Sequence, residues 1–285
     1  MNFSLKKLLL IILPILLLFL IVGMALFSKE SQETLILFRN ITYTPETSKS
    51  EKITEEVKTK PSKKLIFLMY HYVEINENKD DFKRDSLNTL PFIFEQQMLT
   101  LKNAGYKFIH PSEINDFLKD ESDQKYVVVS FDDGYRTFYS YTYPIIKKHG
   151  IKSVNYIIYN FIGRQNNMDA YMIEQLVKDG LVEIGSHTLN HPDITSISEE
   201  QLKSEIIESK NLLEKRFNTK VTSFCYPYGY YNEKTFPFVN EAGYLTAVTT
   251  KEGSQISENN LFEIKRIRPG ILTGQNLIDY LEKIN

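Results

Sequence analysis

Two neighbouring carboxylates, Asp132 and Asp133, stand in the stretch Ser130-Phe131-Asp132-Asp133-Gly134. They follow Tyr126-Val127-Val128-Val129, a β-branched run that predicts a buried strand. Gly134 allows a sharp turn away from the sheet. Strand ends are where α/β folds place chemistry. Neighbouring residues point in different directions, so one carboxylate can bind a cation while the other moves a proton. A plain acidic turn is the alternative, since Asp-Gly is common turn chemistry.

Further on, Ser186-His187-Thr188-Leu189-Asn190-His191 follows a strand expected at 181–185. Histidines at i and i+4 share one face if the segment is helical, and that spacing suits a divalent transition metal. Two histidines and one carboxylate leave metal positions open for water and substrate. A second carboxylate beside them supplies a general base. The stretch Phe224-Cys225-Tyr226-Pro227-Tyr228-Gly229 reads in one of two ways. It is a Pro-Tyr-Gly turn with a core aromatic, or a groove wall that offers a backbone N–H to a developing oxyanion.

The elements that must position these groups alternate. Apolar runs predict strands at 64–70, 106–109, 126–131, 153–158, 181–185, 221–226, 244–249 and 263–267. Helical spacing covers 92–104, 111–118 (Ser112 as its cap), 142–149, 169–178, 198–217, 235–242 and 274–284. Leu202, Ile206, Leu212 and Leu213 form the inward face of 198–217, and residues 74–89 read as a polar loop. The alternation predicts an α/β fold of parallel strands with helices outside, closed like a barrel. His71 ends the first strand and is a candidate to support the site or touch substrate. His110 and His149, at element ends, read as surface residues.

The 285 residues carry a net charge of -2, so no overall basic field points to nucleic acid. A single cysteine, Cys225, excludes an internal disulfide and a multi-cysteine zinc site. Lys6 and Lys7 precede an apolar run at 8–27. Its twenty residues span about 30 Å as a helix, the thickness of a bilayer core. Residues 1–27 are therefore expected to be a transmembrane signal anchor, with the chain beyond it extracellular. A cleaved signal peptide ending at Gly23-Met24-Ala25 is the competitor and would give a secreted protein. Residues 28–62, rich in Ser, Thr, Glu and Lys, read as an extracellular linker, and 63–285 as the folded domain.

Three motifs in order resemble the polysaccharide deacetylases with a NodB homology domain, carbohydrate esterase family 4. They are Ser130-Phe131-Asp132-Asp133-Gly134, His187-Thr188-Leu189-Asn190-His191 and Pro227-Tyr228-Gly229. The resemblance covers about 63–285 and is most specific over 125–270. It implies a distorted (β/α)7 barrel, with Asp132 as general base and Asp133, His187 and His191 as metal ligands. It further implies an oxyanion contact from the backbone N–H of Tyr228, next to Pro227. The implied cofactor is a divalent metal; zinc suits the ligands, and nickel, cobalt or iron would too.

The chain departs from the family in two places. Cys225 stands where the third motif often carries an arginine that orients the catalytic aspartate, and Arg266 or Arg268 is a candidate replacement. No histidine follows His191, so the usual late general acid is absent. Leu68-Met69-Tyr70-His71-Tyr72, Cys225-Tyr226-Pro227-Tyr228-Gly229 and Lys265-Arg266-Ile267-Arg268-Pro269 resemble one subgroup, the poly-N-acetylglucosamine (intercellular adhesin) deacetylases. The expected function is thus that of a membrane-anchored, extracellular, metal-dependent deacetylase that removes acetyl groups from an N-acetylglucosamine polymer, poly-β-1,6-N-acetylglucosamine. The rivals are peptidoglycan N-acetylglucosamine as substrate, a xylan acetyl esterase, and an inactive glycan-binding module.

Overall fold

The computed structural model describes residues 62–78 and 80–285. Seven strands form the main sheet: β1 Ile66–Tyr70, β2 Lys107–Phe108, β3 Tyr126–Phe131, β4 Ser153–Ile157, β5 Val182–Ser186, β6 Ser223–Cys225 and β7 Thr246–Val248. The row runs β7-β6-β5-β4-β3-β1, with β2 also on β3. Every ladder in it is parallel.

Helices connect the strands, as parallel pairing requires. The principal ones are Pro91–Asn103, Tyr143–His149, Ala170–Asp179, Ser209–Phe217 and Gly274–Lys283. Their starts and stops follow local chemistry. The Asp169 side chain accepts from Met172 N (3.0 Å) at the start of Ala170–Asp179. Gly180, with φ 76°, ends that helix in the left-handed conformation.

Alternation along the strands sorts two cores. Ile66, Leu68 and Tyr70 of β1, with Val127, Val129 and Phe131 of β3, pack outward against helix residues such as Phe94, Met98, Ile146 and Leu277. Leu65, Phe67, Val128, Val154, Tyr156, Cys225 and Val248 pack on the opposite face, joined by Ile114 and Phe117. Strands buried on both faces read as continuous apolar runs, which is why β1 and β3 were legible.

The two ends of the row are tied by one further segment. Ile264 bridges Val248 and Ile267 bridges Leu68, both in parallel sense. A continuous strand at 263–267 is not formed, because the segment crosses from one edge to the other within three residues. The architecture is an α/β fold with a parallel-strand half-barrel, its edges linked by two bridges rather than by a full ladder.

Several expectations change in detail. Residues 74–89 are not all loop: Phe82–Ser86 is a short helix, and Asn88–Thr89 pairs with Tyr72–Val73. The helix at 198–217 contains a π-helical segment, Ser204–Glu208, and this wider turn leaves Leu212 exposed while Leu213 is buried. His110 is buried, caps the turn Pro111–Glu113, and its Nε2 lies 3.1 Å from Leu181 O. Ser112, expected as the cap, lies inside that turn and hydrogen-bonds Glu183. His149 is half-buried against Glu95. The expected membrane helix at 1–27 and all but the last residue of the linker lie outside the described residues. Among the described residues no helix is long and apolar enough to cross a membrane.

Candidate active site

The residue after each of four strands faces one mouth. His71 follows β1, Asp132 follows β3, His187 follows β5 and Tyr226 follows β6. Together with Asp133, His191, Tyr228 and Arg268 they line a pocket of about 640 Å³. Parallel register produces this gathering: Tyr70 sits beside Phe131, and Ser186 beside Phe224, so the strand ends are level.

Asp132 is only 2% exposed and its N–H donates to Tyr70 O (3.0 Å). Its carboxylate receives two hydrogen bonds from Arg266, Nη1 to Oδ1 at 2.7 Å and Nη2 to Oδ2 at 2.8 Å. Arg266 is 1% exposed, and its remaining donors are also used. Nε donates to Thr249 O (2.9 Å), Nη1 to Ser130 Oγ (3.1 Å) and Nη2 to Cys225 Sγ (3.4 Å). All five N–H groups of the guanidinium are engaged, as a buried ion pair needs. Burial favours protonation of Asp132, but the arginine outweighs it and holds the carboxyl well below the usual carboxylate range. Of the two candidates to replace the missing motif arginine, Arg266 reaches Asp132. Arg268 is exposed at the pocket lip. Cys225 contacts the arginine that arrives from position 266.

Asp133, His187 and His191 form a triangle. His187 Nε2 lies 3.2 Å from His191 Nε2 and 3.5 Å from Asp133 Oδ1, and His191 Nε2 lies 3.6 Å from that same oxygen. Ligand atoms about 2.0–2.2 Å from a tetrahedral divalent ion are about 3.3–3.6 Å from one another, so the donors fit such an ion. His187 Nδ1 donates to Cys225 O (2.7 Å), which fixes the ring and aims Nε2 at the triangle. Burial opposes charge on His187, yet Cys225 and Asp133 raise its pKa well above the ordinary value. Burial and the adjacent His187 push His191 down to about 4.

The two histidines do not share a helix. Residues 187–191 form a loop in which Thr188 (φ 68°) and His191 (φ 60°) are left-handed. A helix would have stacked the rings one turn apart; the loop turns both into the pocket. Asp133 (φ 70°) and Tyr228 (φ 59°) are left-handed too. Four of the five non-glycine residues with positive φ among the described residues therefore lie here. Each such backbone costs on the order of 1–3 kcal/mol and persists only where neighbours impose it.

Those neighbours include residues that sequence reasoning missed. Glu205, 8% exposed, accepts from Leu189 N (2.8 Å), Asn190 N (2.9 Å) and Asn190 Nδ2 (2.7 Å), clamping the histidine loop from the π-helical segment. Its signal was a carboxylate next to Ile206 on the inward face of an amphipathic helix. Asn167 Nδ2 donates to Asp133 O (2.8 Å), and His191 N donates to Thr188 Oγ1 (2.9 Å).

The Tyr228 ring, 52% exposed, packs edge-on against His191 at 4.6 Å, which sets the residue beside the triangle. Pro227 is buried at the start of that turn. His71 Nε2 lies 3.8 Å from Asp132 Oδ2, and burial lowers its pKa. Of the five histidines, it alone lines this pocket outside the triangle.

The comparisons with known proteins agree with this geometry. The family profile described as polysaccharide deacetylase matches residues 119–247. A Bacillus subtilis (strain 168) protein, "Putative polysaccharide deacetylase YxkH", is 30% identical over 80% of this chain and 80% of its own length. A Staphylococcus aureus (strain MSSA476) protein named poly-beta-1,6-N-acetyl-D-glucosamine N-deacetylase is 28% identical over 61% of this chain. The match spans 65% of the Staphylococcus protein. Among solved structures, the Streptococcus pyogenes deacetylase PplD, in complex with acetate, superposes with a TM-score of 0.71 at 30% identity. It covers 79% of this chain and 100% of its own. The chain belongs to the polysaccharide deacetylase family of hydrolases, which act on amide bonds.

Proposed function

We propose that the chain is a metal-dependent N-deacetylase of N-acetylglucosamine units in an extracellular polymer, poly-β-1,6-N-acetylglucosamine. The observation that carries this reading is a buried, arginine-held carboxylate beside a three-donor triangle in one pocket. The name of the Staphylococcus aureus relatives supports the choice of polymer.

When bound by Asp133, His187 and His191, a divalent ion, zinc by preference, supplies Lewis acidity toward water and the amide carbonyl. Asp132 takes the proton of the attacking water. Arg266 holds it anionic and aimed, although a carboxylate so stabilised is a weak base in the resting site. The Tyr228 N–H stabilises the oxyanion of the acetyl group. The protonated Asp132 returns its proton to the leaving amine. His71, 3.8 Å from Asp132, is placed to share that transfer where the family's late histidine is missing. The C–N bond breaks, and the products are acetate and a glucosamine unit.

Lys6, Lys7 and the apolar run 8–27 support a single-pass anchor with the catalytic domain outside the cell. Protease treatment of intact cells tests this: an external domain is cleaved and an internal one is spared.

Acetate release tests the activity. The full chain, with and without zinc, is given poly-β-1,6-N-acetylglucosamine, peptidoglycan and acetylated xylan, beside Asp132→Asn. Zinc-dependent release from the first polymer, absent in the variant, is expected. Release from peptidoglycan or xylan alone reassigns the substrate. Glycan binding with no release from any polymer makes the protein a binding module.

A further inference from the structure

Two cations stand at the mouth of the pocket with no acid to meet them. Arg268 and Lys83 both line it, and both are exposed. The acidic residues of that lining are Asp132 and Asp133. Asp132 is taken up by the Arg266 fork, and Asp133 by the triangle. Among the described residues, neither the Arg268 guanidinium nor the Lys83 ammonium has a hydrogen bond or an ion pair, whereas Arg84 and Arg136 meet Glu74 and Asp169. Both cations are nevertheless held in place by their backbones. Ile267 N donates to Phe67 O (2.8 Å), and Ile267 O accepts from Met69 N (2.9 Å). The Ile267 side chain is buried in the outward core, so alternation puts Arg266 and Arg268 on the pocket side. Pro269 restricts Arg268 to extended conformations. Lys83 sits in the helix Phe82–Ser86, which Asp81 caps and Arg84 ties down, its Nη2 donating to Glu74 Oε2 (2.7 Å).

We propose that Arg268, with Lys83, makes the pocket selective for the charge of the sugar units flanking the reacting acetamide, accepting N-acetylglucosamine neighbours and rejecting glucosamine ones. This rests on the deacetylase reading above and deepens it to the pattern of the product. An N-acetylglucosamine unit is neutral. Each turnover exchanges its amide for an amine that is protonated near neutral pH, so product differs from substrate by one positive charge. A neighbour so charged meets two uncompensated cations in a cleft whose low-dielectric walls focus their field. Like charges about 8 Å apart near a protein surface repel strongly enough to cost about 3–10-fold in kcat/KM. The enzyme thereby moves away from its own product, and glucosamine units end up dispersed along the polymer instead of in runs.

The test gives the zinc-loaded full chain two β-1,6-linked oligosaccharides, one fully N-acetylated and one with a single internal glucosamine. The readout is the ratio of their kcat/KM values for acetate release, per acetyl group. Wild type should favour the fully acetylated oligosaccharide by about 3–10-fold at low salt, and high salt should bring the ratio toward one. Arg268→Gln should bring it toward one already at low salt, and Arg268→Lys should keep it. Lys83→Gln in the Arg268→Gln background should remove what is left. In partly digested polymer sequenced by mass spectrometry, adjacent glucosamine units should be rarer than chance with wild type and at chance with the double variant. A ratio that ignores salt, or that is equal in wild type and the double variant, overturns the proposal and leaves the deacetylase standing. No acetate from either oligosaccharide removes the proposed polymer itself, and this inference with it.

Discussion

Arg266 and Asp132, separated by 134 residues in the chain, meet as a two-bond fork of 2.7 and 2.8 Å, with both side chains almost wholly buried. The arginine does for this carboxylate what the motif arginine, replaced here by Cys225, is expected to do from a neighbouring strand. The guanidinium enters from the segment that links β7 and β1, and the small thiol leaves room for it.

Removing the arginine therefore does two kinds of damage. Arg266→Met strands a buried carboxylate and should destabilise the fold by about 3–5 kcal/mol. It should also lower acetate release by about 10²-fold or more, because an unheld Asp132 loses its anionic form and its aim. Arg266→Lys restores charge but not the fork, so it should fall between the two in denaturant midpoint and in rate. Equal activity in wild type and Arg266→Met would remove Asp132 from the base role.

The histidine pair predicts a stability profile for the metal-free chain. The folded pKa of His191 lies at about 4, below the ordinary 6.5, so its contribution is present above pH 6.5 and lost as pH falls toward 4. The folded pKa of His187 lies well above 6.5, so its contribution is present below 6.5 and lost as pH rises through the folded value. The thermal midpoint should thus peak near pH 6.5. Zinc should abolish the alkaline decline and release about one proton per ion near neutrality, measurable by calorimetry in buffers of different ionisation heat.

Glu205→Gln tests the clamp on the histidine loop. Three donors lose a charged acceptor, with a cost of roughly 1.5–3 kcal/mol for each strongly affected bond. Zinc affinity should fall about 10-fold, the low end for supporting contacts. An unchanged affinity would mean that the strained loop holds itself.

Gly229 has no room for a side chain. A Cβ there would lie 2.1 Å from Thr250 Oγ1 and 2.6 Å from Thr250 N, at a φ of 76°. Gly229→Ala should cost more than the ~1–2 kcal/mol of the left-handed backbone alone. The shift also displaces the Tyr228 N–H, so kcat should drop more than KM rises. A loss confined to KM would argue against the oxyanion role.

Much of the fold was visible in the sequence because strands buried on both faces write themselves as apolar runs, as in 66–70 and 126–131. Chemistry-bearing residues just beyond those runs could be placed on one mouth once the strands were taken as parallel. Three features were hidden for physical reasons. The i, i+4 spacing of His187 and His191 is equally compatible with a helix and with a loop bent by left-handed residues. Glu205 looks like one more polar helix residue until the π-helical segment turns it inward. The partner of Asp132 depends on a long-range pairing that no local pattern encodes, so Arg266 and Arg268 stood level until the chain was folded.

The closing segment carries one more implication, for the order in which the polypeptide is made. Arg266 lies between Ile264 and Ile267, the two residues that tie the sheet's edges, and 75 residues after His191. A nascent or truncated polypeptide can hold both aspartates and both histidines and still lack the group that readies Asp132. On the proposed mechanism, hydrolytic competence thus waits for residue 266 to leave the ribosome, well after Asp132, Asp133, His187 and His191.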